Sequence, residues 1–250
     1  SQQLAIRDIE DDTRLTAVLP TIEYLLKNNA KVILASHLGQ PKGIDKSLSL
    51  EPVAVWLNCH PEFISGSRSS GDEMLKQVQH DMTKTKIGDF DGWEITPKLF
   101  LLENLRFYDG EEKNDVEFAR KLSSLADIYV NDAFAVCHRA HASTVGIPKY
   151  LPHFAGLHLQ EEVRVLSGVL ENPKRPLVVI IGGAKIETKL PLVEKMRNFA
   201  DYVLVGGKIA NELTEILKAQ YPNKKKKETL LIASLNPDGF DITKKSVDEF

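Results

Sequence analysis

Short runs of apolar, mostly β-branched residues punctuate the chain at 31–36 (KVILAS), 98–103 (KLFLLE), 128–131 (IYVN), 177–181 (LVVII), 202–205 (YVLV) and 229–233 (TLLIA). They are near-continuous rather than alternating, the pattern of strands covered on both faces. Between them the apolar period changes to that of a helix. Over residues 12–28, Leu15, Val18, Leu19, Ile22, Leu25 and Leu26 share one helical face. Asn114 with Glu117 predicts a capping box opening a helix that runs to about Leu125. Further helices are predicted at 187–199 and 209–219, and at 158–170 (HLQEEVRVLSGVL), where NPKRP at 172–176 ends the pattern. Strand–helix alternation of this kind predicts an α/β fold built on parallel sheets.

The NPKRP break is the expected domain boundary. It divides the chain into a domain at 1–157, a connecting helix and linker at 158–175, and a second domain at 176–250. One segment departs from its surroundings. Residues 59–85 are strongly polar, cluster Ser and Gly early, and show no sustained period before 74–78. They are expected to form an inserted surface excursion. His60 and His80 lie in it without the partner spacing of a metal site. The lysine run at 224–227 is expected to be a solvated turn.

Composition narrows the function classes. A net charge of −3 argues against a general nucleic-acid binder, so any anion site must come from local clustering of cations. Cys59 and Cys137 make no disulfide framework, which points to a reducing compartment. The polar, acidic start SQQLAIRDIEDD is unlike a targeting peptide, and no apolar run approaches the ~20 residues that span a bilayer. A cytoplasmic location is the expectation.

Polar chemistry gathers just beyond each predicted strand. KVILAS leads to His37, Leu38, Gly39 and Gln40, KLFLLE to Asn104 and Arg106, and IYVN to Asp132, then His138, Arg139 and His141. In open parallel sheets these carboxyl ends share the ligand-binding crevice. Together with Arg14, such cations suit a small, multiply charged anion, because guanidinium forks match carboxylate and phosphate oxygens in pairs. The later strands lead to Gly182-Gly183-Ala184-Lys185, with Lys189 one helical turn on, and to Gly206-Gly207-Lys208. Glycines admit close backbone approach and a helix amino terminus favours phosphate. Neither GxxxxGK[ST] nor GxGxxG is present, which disfavours a P-loop and a nucleotide-binding oxidoreductase. No Ser–His–Asp set, HExxH or paired-Cys motif suggests covalent or metal-hydrolytic chemistry.

The ordered set DDTR (11–14), ILASHLG (33–39), LLENLRF (101–107), EEKND (111–115), VNDAF (130–134), HRAHAST (138–144) and GGAK (182–185) resembles phosphoglycerate kinase. HRAHAST and LLENLRF are individually distinctive, whereas GGAK is not. The resemblance implies two Rossmann-like domains facing across a cleft that closes about a hinge, usually in a monomer. It implies 3-phosphoglycerate or 1,3-bisphosphoglycerate on the first domain and ADP or ATP with Mg2+ on the second. Arg14, His37, Arg106 and Arg139 would bind the phosphoglycerate, with Leu38, Gly39 and Gln40 in the same loop. Arg14 would also reach the travelling phosphoryl group and Lys185 would stabilise its equatorial oxygens. Lys189 would hold nucleotide phosphate, and Gly182, Gly183, Gly206 and Gly207 would line the adenosine pocket.

Several features depart from the family pattern. The Arg-x-Asp-x-Asn-x-Pro first strand is absent, Gln40 stands where the family has Arg, and 59–85 is inserted. The chain stops before the family's WNGP segment, so the second domain is expected to be truncated and the Mg-binding Asp to lie beyond Phe250. A truncated, non-catalytic phosphoglycerate-binding fragment is the alternative.

Overall fold

The computed structural model describes Ile9, residues 11–60, 82–183 and 186–210, Leu213, and Leu230–Ile232. The chain divides into two compact units, Ser1–Val165 and Leu166–Phe250. In the first, α1 (Thr13–Lys27) leads to β1 (Val32–Leu34) and α2 (Glu51–Cys59). Strands β2 (Thr83–Ile87), β3 (Phe90–Thr96) and β4 (Leu99–Leu102) follow in succession. After them come a single turn, α3 (Asp109–Glu112), then α4 (Val116–Ser123), β5 (Tyr129–Asn131) and β6 (His153–Ala155). Helix α5 (Leu157–Glu171) contains the boundary between units. The second unit has β7 (Val178–Ile181), α6 (Ile186–Arg197), β8 (Tyr202–Val205) and β9 (Leu230–Ile232).

The four-stranded sheet has the order β1-β4-β3-β2, with β1 and β4 parallel and in register from Val32 opposite Leu99. Its two faces are covered by different elements. Leu19 and Ile22 of α1 and Ala54 and Leu57 of α2 pack with Val32, Trp93, Ile95, Leu99 and Leu101. Phe118, Ala119 and Leu122 of α4, with Ala142 and Ile147, pack with Phe90, Leu102 and Leu105. All of β4 is therefore buried, which is why its sequence is uninterrupted LFLL. β5 and β6 form a separate parallel pair. In the second unit β7, β8 and β9 are parallel throughout, around a core of Ile181, Val193, Val203, Val205, Ile209 and Leu213.

The six predicted strands are present; the first five are each trimmed by no more than two residues at either end, and the sixth is described over Leu230–Ile232. Other expectations need correction. β2 and β3 form an antiparallel hairpin that the sequence pattern did not reveal, so the first sheet is mixed rather than purely parallel. Cys59 closes α2 and Thr83–Ile87 is a strand, so the inserted excursion loses both ends to regular structure. Residues 61–81, including His80, lie outside the described residues. The helix after Asn114 is capped by Asp115, whose carboxylate accepts from the Phe118 N–H at 2.8 Å, and not by Asn114. Asn114 instead takes a positive φ of 51° in the preceding turn. β7 is not covered on both faces: Val178 and Ile180 are 48% and 77% exposed. Of the predicted helix at 209–219, residues 209, 210 and 213 are described and helical. The lysine run at 224–227 lies outside the described residues.

The start of α5 is tied down from two elements. Thr21 Oγ1 of α1 accepts from the Leu157 N–H and Asp132 Oδ1, just past β5, accepts from the Leu159 N–H, each at 2.9 Å. These are amide groups that no intrahelical carbonyl can satisfy. Replacing the α4 cap, Asp115→Ala, should lower unfolding stability by about 1 kcal/mol. Urea denaturation measures it, and an unchanged midpoint would remove Asp115 as the cap.

Candidate functional site

The connections that follow two strands of the first unit, β1 and β4, meet around one buried amide. The Asn104 side chain, 0% exposed, follows β4. Its Nδ2 donates to the carbonyls of Leu38 and Leu48, both at 2.8 Å. Its Oδ1 accepts from the N–H of Arg106 at 3.1 Å and of Leu38 at 3.3 Å. One carboxamide thus uses both donors and both acceptor directions to join the loop after β1 to the turn bearing Arg106. Glu103 beside it accepts from the N–H of Leu50 and of Asn104 at 2.8 Å each, and from Ser49 Oγ at 2.8 Å. The backbone adds Leu105 N–H to Ser36 O at 3.1 Å.

On this frame sits Arg106, its side chain only 6% exposed. Nη1 donates to the Gly39 carbonyl. Glu112 Oε1 stands 2.9 Å from Nε as an ion pair, yet off the N–H direction. Buried Nε and Nη2 therefore have no hydrogen-bond partner among the described residues. Arg139 is held by its backbone, its N–H donating to Val136 O at 2.9 Å and its carbonyl accepting from Thr144 Oγ1 at 2.6 Å. The same loop is anchored by Glu111, which is 1% exposed. Its carboxylate accepts from the Ser143 N–H at 3.0 Å and from Ser143 Oγ, and lies 3.8 Å from His141 Nδ1.

His37 shows that these groups converge. Its imidazole is held below the ordinary 6.5 first by burial, then by the positive charges of Arg106 and Arg139 and by the His141 ring, with Glu112 opposing. Four of the residues picked out in the sequence, His37, Arg106, Arg139 and His141, therefore share one electrostatic field. Leu38, Gly39 and Gln40 lie on the loop beside them and are exposed. Arg14 is exposed on the first turn of α1, where its charge acts on Asp11, and no described contact joins it to the group. His138 is exposed as well. Sequence reasoning missed the acidic members, Glu103, Glu111 and Glu112. Their signal was their closeness in sequence to Arg106, but burial, which separates Glu111 from Glu112, is not written in the sequence.

In the second unit, the loops after β7 and β8 touch through backbone. Gly183 (φ +138°) and Gly207 (φ +70°) adopt conformations that L side chains rarely take. A Cβ on Gly207 would lie 3.1 Å from the Gly183 carbonyl oxygen. Gly206 N–H donates to Ile181 O at 3.1 Å. Gly182 is exposed with open space where a side chain would stand, and Lys189 Cε lies 3.7 Å from the Cβ position of Gly183. Lys185 lies outside the described residues. Among the described residues, no group of three or more His, Cys, Asp or Glu could hold a metal ion. No described helix is long and apolar enough to cross a membrane.

The family model described as phosphoglycerate kinase matches residues 3–244. A phosphoglycerate kinase from Desulforudis audaxviator is 48% identical over 205 residues, covering 82% of this chain and 49% of its own length. An Arabidopsis thaliana relative named cytosolic phosphoglycerate kinase 3 is 45% identical over 203 residues, covering 80% of this chain and 47% of its own. The solved phosphoglycerate kinase of Coxiella burnetii has a TM-score of 0.62 at 35% identity, over 88% of this chain and 52% of that one. The chain spans about half the length of the curated relatives it matches.

The depressed His37 makes a pH prediction. The unfolded chain takes up this proton first, so the contribution of neutral His37 to stability is complete above the ordinary value of 6.5. It is lost as pH falls from there towards the folded-state value. An NMR titration should place the His37 midpoint below 6.5, and His37→Asn should flatten the acid-side decline in stability. A midpoint at or above 6.5 would refute the convergence of cations on this ring.

Proposed function

The chain belongs to the phosphoglycerate kinase family, and on that premise we propose that it serves reversible phosphoryl transfer between 1,3-bisphosphoglycerate and ADP, giving 3-phosphoglycerate and ATP. The observation that carries the acid half of the reading is Arg106. A buried guanidinium with two nitrogens that make no hydrogen bond among the described residues, beside Arg139, His37 and His141, suits a ligand that is itself a polyanion. Arg106, Arg139 and His37 hold the phosphoglycerate, and the backbone of Leu38 and Gly39 with the side chain of Gln40 borders it. Where a further arginine would add charge, Gln40 supplies an amide donor.

The nucleotide half rests on the second unit. Gly182, Gly183, Gly206 and Gly207 leave backbone bare at two adjoining strand ends, and Lys189 stands beside Gly183. That combination fits adenosine and its phosphates. Mg2+ enters with ADP or ATP as part of the substrate, its charge offsetting that of the phosphates. The described residues supply no carboxylate cage for it.

In the direction of ATP consumption, a carboxylate oxygen of 3-phosphoglycerate attacks the γ-phosphorus, the bond to the β-phosphate oxygen breaks, and ADP leaves. No proton changes hands on the protein, so catalysis reduces to alignment and fixed positive charge. Arg14 is assigned by motif to the travelling phosphoryl group and Lys185 to its equatorial oxygens. The match to relatives named as kinases favours this over a non-catalytic binder. A cytoplasmic location is supported by the cytosolic relative and by two free thiols, Cys59 and Cys137.

Two substitutions separate the halves. Arg139→Ala should weaken 3-phosphoglycerate binding by about 30-fold, the value of a charge-assisted pair, with ADP binding unchanged. Lys189→Ala should weaken ADP binding about tenfold and leave the acid alone. Calorimetry with each ligand checks both; an acid affinity untouched by Arg139→Ala would remove Arg139 from the site.

A further inference from the structure

Two consecutive glutamates stand beside the clustered cations in opposite circumstances. Glu111 is 1% exposed and both its oxygens are engaged by Ser143. It is locked. Glu112 has a side chain 53% exposed and, among the described residues, its one polar contact is the ion pair with Arg106 Nε at 2.9 Å. That pair is misaligned, because Nε still lacks a hydrogen bond and so does Nη2. The Nε–Nη2 edge of a guanidinium is the edge that takes a carboxylate or phosphate by two parallel bonds. Glu112 stands at this edge without making them. Its negative charge also acts on His37, so it lies inside the field that an incoming anion must enter.

We propose that Glu112 is a built-in surrogate for the acid substrate, standing against the guanidinium of Arg106 until a phosphoglycerate anion displaces it. The inference rests on the phosphoglycerate reading of the site. With no ligand, a buried guanidinium without a countercharge is strongly disfavoured, and the half-hydrated carboxylate supplies that charge. When the ligand arrives, two aligned bonds replace one misaligned contact. Glu112 returns to water at little cost because it is already largely there. Glu112 thus sets acid affinity by competition: its removal tightens binding, whereas removal of a residue that merely braces Arg106 would loosen it.

Calorimetric titration of 3-phosphoglycerate into the 250-residue chain and into Glu112→Gln decides between those signs. The variant is expected to bind about tenfold more tightly, the scale of one charge-assisted contact. Its ligand-free Tm should fall by a few degrees and recover at saturating ligand. If the parent chain binds and Glu112→Gln binds equally or more weakly, the surrogate role is wrong while the acid site stands. Binding by the variant alone would still support displacement. Binding by neither overturns both readings. Should Glu112→Gln fail to fold, Glu112→Asp decides: its carboxylate is one methylene shorter and cannot hold the 2.9 Å contact. Tighter binding by this variant supports the proposal, and unchanged or weaker binding refutes it.

Discussion

Arg106 carries a full positive charge to a place where its side chain is 6% exposed, and the architecture of the first unit is organised around keeping it there. Desolvating an ion costs on the order of several kcal/mol, so such a charge persists only where fixed dipoles and a counter-ion hold it. The Gly39 carbonyl provides one dipole and Glu112 the counter-ion. The backbone of Arg106 is fixed in turn by Asn104, whose amide also grips Leu38 and Leu48. Take away that amide and the β1–α2 connection and the turn bearing Arg106 lose a common anchor at once, with the buried Arg106 N–H left unpaired.

The division of labour follows from burial. Glu103, Asn104 and Glu111 are buried, and their polar atoms are used by neighbouring amide and hydroxyl groups. They cannot meet a ligand, but they settle where Arg106, Arg139 and the loop bearing His37 stand. Such a frame holds its donors in place before the ligand arrives, so no reorganisation is required at the moment of reaction. The acidic frame also explains how arginines and imidazoles gather in one place within a chain of net charge −3. In the second unit the corresponding constraint is steric. A Cβ on Gly207 would press on the Gly183 backbone, 3.1 Å from its carbonyl oxygen.

Much was legible from the residue pattern. The apolar runs located the strands, although only in β4 does burial along the whole strand account for the unbroken run, and the polar residues after each run supplied the candidate site residues. The hairpin of β2 and β3 was hidden for the opposite reason. TKTKI in β2 has one large apolar residue, Ile87, and its place in the sheet comes from pairing with β3. Strand identity is then a property of the partner and not of the segment.

By itself, the sequence determined the α/β class through its order of apolar runs and the identity of the cations through residue type, while its ordered motifs from DDTR to GGAK carried the resemblance to the family. The tertiary structure alone decided which of those cations meet. His37, Arg106, Arg139 and His141 share one field, while the described electrostatic contact of Arg14 is with Asp11. It also separated Glu111 from Glu112, identical neighbours of which one is sealed and the other half in water. Charge is a property of a residue, but desolvation belongs to its surroundings, and those exist only once the strands are side by side.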